Sequence, residues 1–501
     1  MPQIHPRPSR TRRLLTGLGA LLLAVQYVAA DAPELERKLN ERLLTNTSVS
    51  GSKDRASESG LSITPLVEAY LAMTPPPMPV GDDFNLTTIW PGMPGWNAVA
   101  GWAASNERMA EAITEVQDRP LLGMRYGRSE VPAAWQQRDV VIDVAPGGDL
   151  TVIDFPYLDA MDTIVAFATA EFYRRLEAGE YESAFTFGLA YLRIIRQGCE
   201  QEMLEEKLWF MDNLSAAFST HRDAMYAYLD RIPTKLFQQL GTREYPFLKP
   251  TDDQRLRRLA LPEGDRIHIS VLLDSVFDAQ GQADEAKFAE VFGSLQARQS
   301  PLGLFGSRKQ WARLARYHGA LDLSQEKLED VYDDWWRRWR MRQFAATMDI
   351  PNVYSGLNEV RYAAIRLAVQ DLEEVFFARE RLVSDINGTI YSAGLCGYYT
   401  QYGKWPVDLS PVAPSYAMKR FDFDPYNMDY GGLVYTLLRS RTTIETVRYG
   451  QLFVDGCLLY TLGRNHIDDR GKEVSDNGAI GDLLLWPPTR QLAREQGKIV
   501  Q

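Results

Sequence analysis

Between Tyr157 and Met348 apolar residues recur every three or four positions, and that period decides what most of this 501-residue chain can fold into. Leu158, Met161, Ile164, Val165, Ala168 and Phe172 fall on one face of a helix, and a one-faced helix must bury that face against a neighbour. Glu177 to Ala184 reads as the turn of a helical hairpin, which Phe185 to Ile195 continues. Further helices are expected over Glu200–Leu229, Glu285–Leu295 and Lys309–Tyr317. The expectation for residues 157–350 is therefore a helical bundle or an irregular array of helical hairpins.

The hairpin turn carries Gly179, Tyr181 and Ala184, a spacing similar to a tetratricopeptide unit, but no second copy follows at a fixed interval. Within the same region, Asp333-Asp334-Trp335-Trp336-Arg337-Arg338-Trp339-Arg340 mixes aromatic and cationic groups. Such a run can stack on a glycan or hold an anion. Asp333 and Asp334 also lie four residues before Arg337 and Arg338, the spacing of intrahelical ion pairs. Trp335 and Trp339 then share a face for a neighbouring helix to cover, and this structural role is the one expected.

Composition excludes several classes. The apolar fraction of 45% and charged fraction of 24% are those of a folded globular protein. A net charge of −11 opposes phosphate-driven binding of nucleic acid, so no nucleic-acid partner is expected. Cys199, Cys396 and Cys457 are too few for a disulfide scaffold and lack zinc-site spacing. The chain has no Gly-x-Ser-x-Gly elbow, P-loop, dinucleotide fingerprint or His-Glu-x-x-His, and its five histidines are scattered. No catalytic residue stands out, and a non-enzymatic protein is expected.

The N-terminus has the pattern of an export signal. Arg7, Arg10, Arg12 and Arg13 precede an apolar stretch from Leu14 to Ala30, and Val28-Ala29-Ala30 offers small residues for cleavage before Asp31. The stretch sits at the short limit of a membrane span, so residues 1–30 are a cleaved signal peptide or an uncleaved anchor. Either places the rest in the periplasm or on the outer face of the cytoplasmic membrane. Residues 31–75 read as a polar tether, with a Ser/Lys/Asp/Gly-rich run from Thr45 to Gly60. Residues 76–156 are rich in proline and tryptophan and irregular. In that segment Trp90, Trp96 and Trp102 anchor loops to a core rather than stack on sugar, and Val140–Val144 with Leu150–Phe155 suggests a hairpin.

The last third is organised around an acidic loop. A β-type run at Leu458, Leu459, Tyr460 and Leu462 enters it, and Leu483 to Trp486 leaves it before Pro487-Pro488. Asp468, Asp469, Glu473, Asp476 and Asp482 lie in between. Oxygen-rich loops between strands suit Ca²⁺, which takes six to eight oxygen ligands. The same acids would serve equally as a solvated turn closing a hairpin, and their spacing is not that of an EF-hand.

Upstream, an amphipathic helix is expected over Arg361–Arg379. It leads through Tyr398, Gly403, Trp405, Pro406 and Leu409 to Asp422-Phe423-Asp424-Pro425-Tyr426, then to a strand at Leu433-Val434-Tyr435. This order resembles the globular part of the major pseudopilins of type II secretion. It is equally similar to large envelope proteins of planctomycete-type bacteria, which end as this chain does from Leu459-Tyr460-Thr461-Leu462-Gly463 to Trp486-Pro487-Pro488. The resemblance implies a small α+β module over 351–488, a helix on a short antiparallel sheet; residues 489–501 read as a polar tail. It also implies a Ca²⁺ site with Leu462 and Asn465 as carbonyl or amide ligands and Asp468, Asp469 and Asp482 as carboxylate ligands. A pseudopilin joins this module directly to its membrane helix, whereas here some 350 residues intervene. The helix at Arg361–Arg379 is too charged for a membrane stem.

The expected whole is a mainly α, exported envelope protein: a helical scaffold with a pseudopilin-like module that contacts protein partners. Membrane contact would come only from the N-terminal segment, if uncleaved. The alternative is an envelope hydrolase, on carbohydrate for instance, with its cleft in the helical region.

Overall fold

The computed structural model describes residues 31–45, 60–77, 89–240, 247, 259, 261–300, 306–342, 344–370, 372–412, 423–474 and 481–499. The export segment and Asp476 lie outside them, as does most of the polar run from Thr45 to Gly60.

The chain begins with helices α1 (Asp31–Thr45), α2 (Ile63–Leu71), α3 (Trp96–Ser105) and α4 (Glu107–Val116), then a short α5 (Ala133–Gln136). The first two correct the expectation of a tether over 31–75. Leu35, Leu39 and Leu43 stand four residues apart, and all three are fully buried. Each such leucine contributes about 2 kcal/mol on leaving water. Asn40 fixes the helix further, its side chain trading hydrogen bonds of 2.8 and 3.0 Å with the backbone of Tyr126. Strands β1 (Asp143–Val144) and β2 (Ile153–Asp154) form the expected hairpin, though only two residues long on each side. Trp102 is buried, edge-on to Phe167 at 5.8 Å, and its Nε1 donates to the Thr74 carbonyl at 2.9 Å.

The helical period then delivers α6 (Tyr157–Glu177), α7 (Tyr181–Gly198) and α8 (Leu204–Ala227). Gly179 (φ +78°) closes α6 in the left-handed conformation a non-glycine resists, and its N–H bonds the Leu176 carbonyl at 3.0 Å. After α9 (Thr234–Gln239) come α10 (Gly264–Val276), α11 (Glu285–Gln299), α12 (Ser307–Ala315) and α13 (Leu321–Trp339). Asp284 caps α11 by accepting from Ala286 N and Lys287 N at 2.9 and 3.1 Å.

The helix expected over Arg361–Arg379 is two helices, α14 (Ala363–Ala368) and α15 (Glu373–Tyr402). β-Branched Val369 turns the backbone extended, and helix restarts at Glu373 and Glu374, acids that complement the positive end of a helix dipole. Next come β3 (Val434–Leu437), β4 (Thr442–Thr446), β5 (Gly450–Val454), β6 (Cys457–Thr461), β7 (Leu483–Trp486) and α16 (Thr489–Glu495). One antiparallel sheet has the order β3-β6-β7, and β4 pairs with β5 in a separate hairpin. The molecule is thus mainly helical, with small antiparallel sheets.

Helix α8 is the hub, packing against α6, α7, α15, α16 and β7. Helix α15 lies between α8 and the sheet. Gly388 lets it approach, because a Cβ there would meet Leu485 Cδ1 at 2.7 Å. One hydrophobic core runs from Leu35 through α6–α8 to Leu459, Leu485 and Trp486. The expected module at 351–488 therefore shares its core with the helices before it. No helix among the described residues is long and apolar enough to cross a membrane.

Candidate functional site

The acidic loop opens from β6 and returns through β7, with Tyr460 opposite Leu484 and Thr461 opposite Leu483. Gly463, Gly471 and Gly481 all have positive φ; at Gly481 a Cβ would lie 2.6 Å from Val474 N, so the turn closes only on glycine. The Leu462 N–H donates to Asp424 Oδ2 at 3.1 Å. Asn465 Nδ2 donates to Asp469 Oδ2 at 2.8 Å, and Asp468 Oδ1 accepts from the Tyr460 hydroxyl and from Arg470 N, both at 2.9 Å. Asp482 is fully buried. Its Oδ2 accepts from Gly471 N at 2.6 Å, while its Oδ1 is buried without a hydrogen-bond partner.

Burial pushes the Asp482 carboxyl up to about 7, aided by the charges of Asp468 and Asp469 and opposed by the N–H of Gly471. The loop therefore brings Asp468, Asp469 and Asp482 within electrostatic reach of one another. Among the described residues, no three His, Cys, Asp or Glu side chains are grouped as they would be around a metal ion. What the arrangement supplies is one orphaned carboxylate oxygen beside two further acids.

Sequence reasoning passed over Asp424 as a functional group. It is completely buried and accepts from Thr461 Oγ1, Leu462 N and Tyr426 N, pinning the loop's entrance to the end of β6. Its place before Pro425, where Asp favours a turn, was the available signal.

Two further polar centres lie on α8. At its N-terminal end Glu206 accepts from the hydroxyls of Tyr126 (2.8 Å) and Tyr157 (2.6 Å) and from Gln201 Nε2 (3.2 Å). Burial pushes Glu206 and Glu202 each up to about 7, and Asp265, which accepts from Leu204 N at 2.8 Å, to about 6. Nothing in the spacing of Glu202 and Glu206 distinguishes them from the many other acids of the chain.

At the other end of α8 the acids are paired with arginine. Asp223 holds Arg490 at 2.5 Å and Arg494 at 3.4 Å, joining α8 to α16. Arg222 holds Asp385 of α15 at 2.5 Å and donates to Thr389 Oγ1 at 2.8 Å; Ser215 Oγ donates to the same carboxylate. The aligned arginines and acids come from three separate stretches of sequence, so no local pattern announces them. A cavity of about 120 Å³ opens along this seam, lined by residues of α8, α15, the β4–β5 turn, β7 and α16.

The tryptophan–arginine run takes the structural role. Trp335 and Trp339 are buried, with ring centroids 5.6 and 5.0 Å from that of Phe376 on α15, and Arg338 pairs with Asp334 at 3.0 Å. Trp336 Nε1 donates to Glu263, and Arg379 lies 3.9 Å over the Trp339 ring. All three cysteines are free thiols in buried positions. Comparison with models of known families, with curated proteins and with solved structures finds no match.

Proposed function

We propose that this chain is an exported, non-enzymatic protein of the cell envelope, in which a helical body displays a C-terminal contact module resembling that of the major pseudopilins. One observation carries the reading. Ten of the thirteen large apolar side chains left exposed among the described residues lie between Tyr402 and Val474, in the stretch from the end of α15 to the acidic loop. Val407 is 80% exposed and Ile467 60%, and Phe453 projects from the β4–β5 hairpin. Exposed apolar side chains concentrated in one stretch of the chain support a contact surface there. The order of helix, small antiparallel sheet and acidic loop supports the resemblance. Ca²⁺ is the proposed ion of that loop, where it would satisfy Asp482 Oδ1.

The partner in this reading is another envelope protein. Cross-linking in the native host, mapped by mass spectrometry, should place links to one recurrent partner within residues 402–474. The variants Val407→Ser, Phe453→Ser and Ile467→Ser should lose those links without a change in melting temperature. Links confined to the helical body would contradict the assignment. The same preparation tests export, since the mature chain should begin near Asp31, and an intact Met1 in the soluble cytoplasmic fraction would contradict it.

A further inference from the structure

The exposed stretch from Tyr402 to Val474 closes its rings around a cation supplied from elsewhere in the chain. Arg342, just beyond α13, places Cζ 4.3 Å from the ring centroid of Tyr430, 5.3 Å from that of Phe423 and 5.7 Å from that of Phe344. The rings meet one another edge to face. Phe344 and Phe423 each stand 5.8 Å from Tyr430, and Phe344 stands 5.9 Å from His466. Phe423 and Tyr430 are half exposed; Met428 of the same loop and Ile467, which follows His466, are exposed as well. The rings thus form one patch in space.

The patch is ordered by the chain itself. The Asp424 N–H donates to the Gly431 carbonyl at 2.9 Å, the buried Asp424 carboxylate accepts from Tyr426 N at 3.0 Å, and His466 Nδ1 lies 2.7 Å from the Tyr426 carbonyl. Tyr430 (φ +60°) and His466 (φ +57°) hold left-handed backbone, a local cost of the kind that collects at binding sites. Arg342 is left short of acceptors. Ring faces attract its charge but do not satisfy its five N–H donors. None of the described residues accepts a hydrogen bond from it or offers it a paired carboxylate, and its Nη1 is buried without a partner. Arg464, whose charge reaches Tyr426, differs, because Glu374 and Glu380 both lie within its electrostatic reach.

We propose that this cluster docks a segment of a protein partner that carries an Asp or Glu carboxylate beside an aromatic or aliphatic side chain. This occupant rests on the reading of residues 402–474 as a contact surface and names the chemistry of what meets it. The carboxylate takes the free N–H donors of Arg342, a charge-assisted bond strengthened where rings exclude water, and the apolar neighbour covers Phe423 and Tyr430. Arginine with tyrosine and phenylalanine is the composition of interface cores, and a patch already ordered loses little freedom on binding. Other ligand classes fit less well. A sugar brings no charge and stacks on an open ring face, whereas Phe423 and Phe344 stand at 86° and 88° to Tyr430 around the cation. Nucleic acid brings phosphates that a chain of net charge −11 repels.

The test is selection of a random peptide library displayed on phage against the immobilised full chain, after which the selected peptides are synthesised with a fluorophore and their binding is measured by anisotropy. They should share an Asp or Glu next to an aromatic or aliphatic residue. Arg342→Gln should weaken them by about tenfold or more. Replacing the peptide's acid by its amide should cost as much with the unmutated chain and add little with the variant. Phe423→Ser removes a half-exposed ring, so it should keep the melting temperature while weakening the same peptides. If Arg342→Gln fails to fold, the amide peptide and Phe423→Ser decide the matter alone. No selected peptide, peptides without a shared acid, or acidic peptides that bind folded Arg342→Gln as tightly would each overturn the site. So would dimerisation of the full chain that Arg342→Gln abolishes, which gives the patch to a second copy, or binding of cellohexaose that Phe423→Ser abolishes, which gives it to a glycan. Cross-links within 402–474 without an Arg342-dependent peptide overturn this occupant and keep the contact surface, whereas links confined to the helical body remove the surface itself.

Discussion

Helix α8 carries a buried carboxylate near each end, Glu206 and Asp223, about 25 Å apart along the axis, and they are compensated in opposite ways. Glu206 is met by neutral donors, two tyrosine hydroxyls and an amide, and burial raises its pKa to about 7. Asp223 is met by two arginines from α16. Neutral hydrogen-bond donors leave burial to hold Glu206 toward its protonated form, so the first centre responds to pH. Charge pairs do not tolerate the loss of either partner, so the second makes attachment of the C-terminal element all-or-none. The difference teaches where this fold is adjustable and where it is locked.

The sharpest way to break the comparison is to remove the locking charge. Asp223→Ala leaves Arg490 and Arg494 buried beside an empty position, and stranding buried charges in this way costs about 3–5 kcal/mol. Urea unfolding should show that loss. A loss below about 1 kcal/mol would mean that the arginines find other partners and that the seam is not a lock.

Next in size is the pH response of the other end. The folded-state pKa of Glu206 lies above its ordinary value near 4.5, so its contribution to stability is fully present below pH 4.5 and lost as pH rises through about 7. The shift corresponds to about 3 kcal/mol. Glu206→Gln cannot ionise, so its stability should fall less between pH 5 and pH 8 than that of the unmutated chain. Parallel pH curves for the two would contradict the assignment. A third test probes the close approach of α15 to β7. Gly388→Ala places a Cβ 2.7 Å from Leu485, and overpacking of this kind costs about 1–3 kcal/mol.

Smaller effects are expected at the loop and on the contact face. If Ca²⁺ binds beside Asp482, tenfold excess over Kd adds about 1.4 kcal/mol, visible as a higher melting temperature than in chelator and absent in Asp482→Asn. Phe453→Ser should change stability by no more than about 0.5 kcal/mol, since the ring is half exposed.

The helical body was legible in sequence because helices α6 to α8 bury periodic faces, and periodicity is local. The burial of Trp335 and Trp339 was legible for the same reason. Helix α1 escaped notice although its leucines repeat every four residues, because a polar composition masked three buried positions. Helix α15 was placed too early and too short, since its break at Val369 and extension to Tyr402 depend on packing against α8 and β7. Of the candidate site, the loop's frame was visible in its glycines and flanking apolar runs. The seam was not visible, because its partners stand more than 150 residues apart, Arg222 against Asp385 and Asp223 against Arg490, and spacing carries no trace of such pairs.

The central claim, that charge at the seam locks the C-terminal element while neutral hydrogen bonds close the body, is tested most directly by native-state hydrogen exchange on Asp223→Asn. The account predicts faster exchange in residues 434–461 and 483–495, with protection in α6 and α7 unchanged. Acceleration spread evenly over the whole chain, or none in the C-terminal strands, would contradict it.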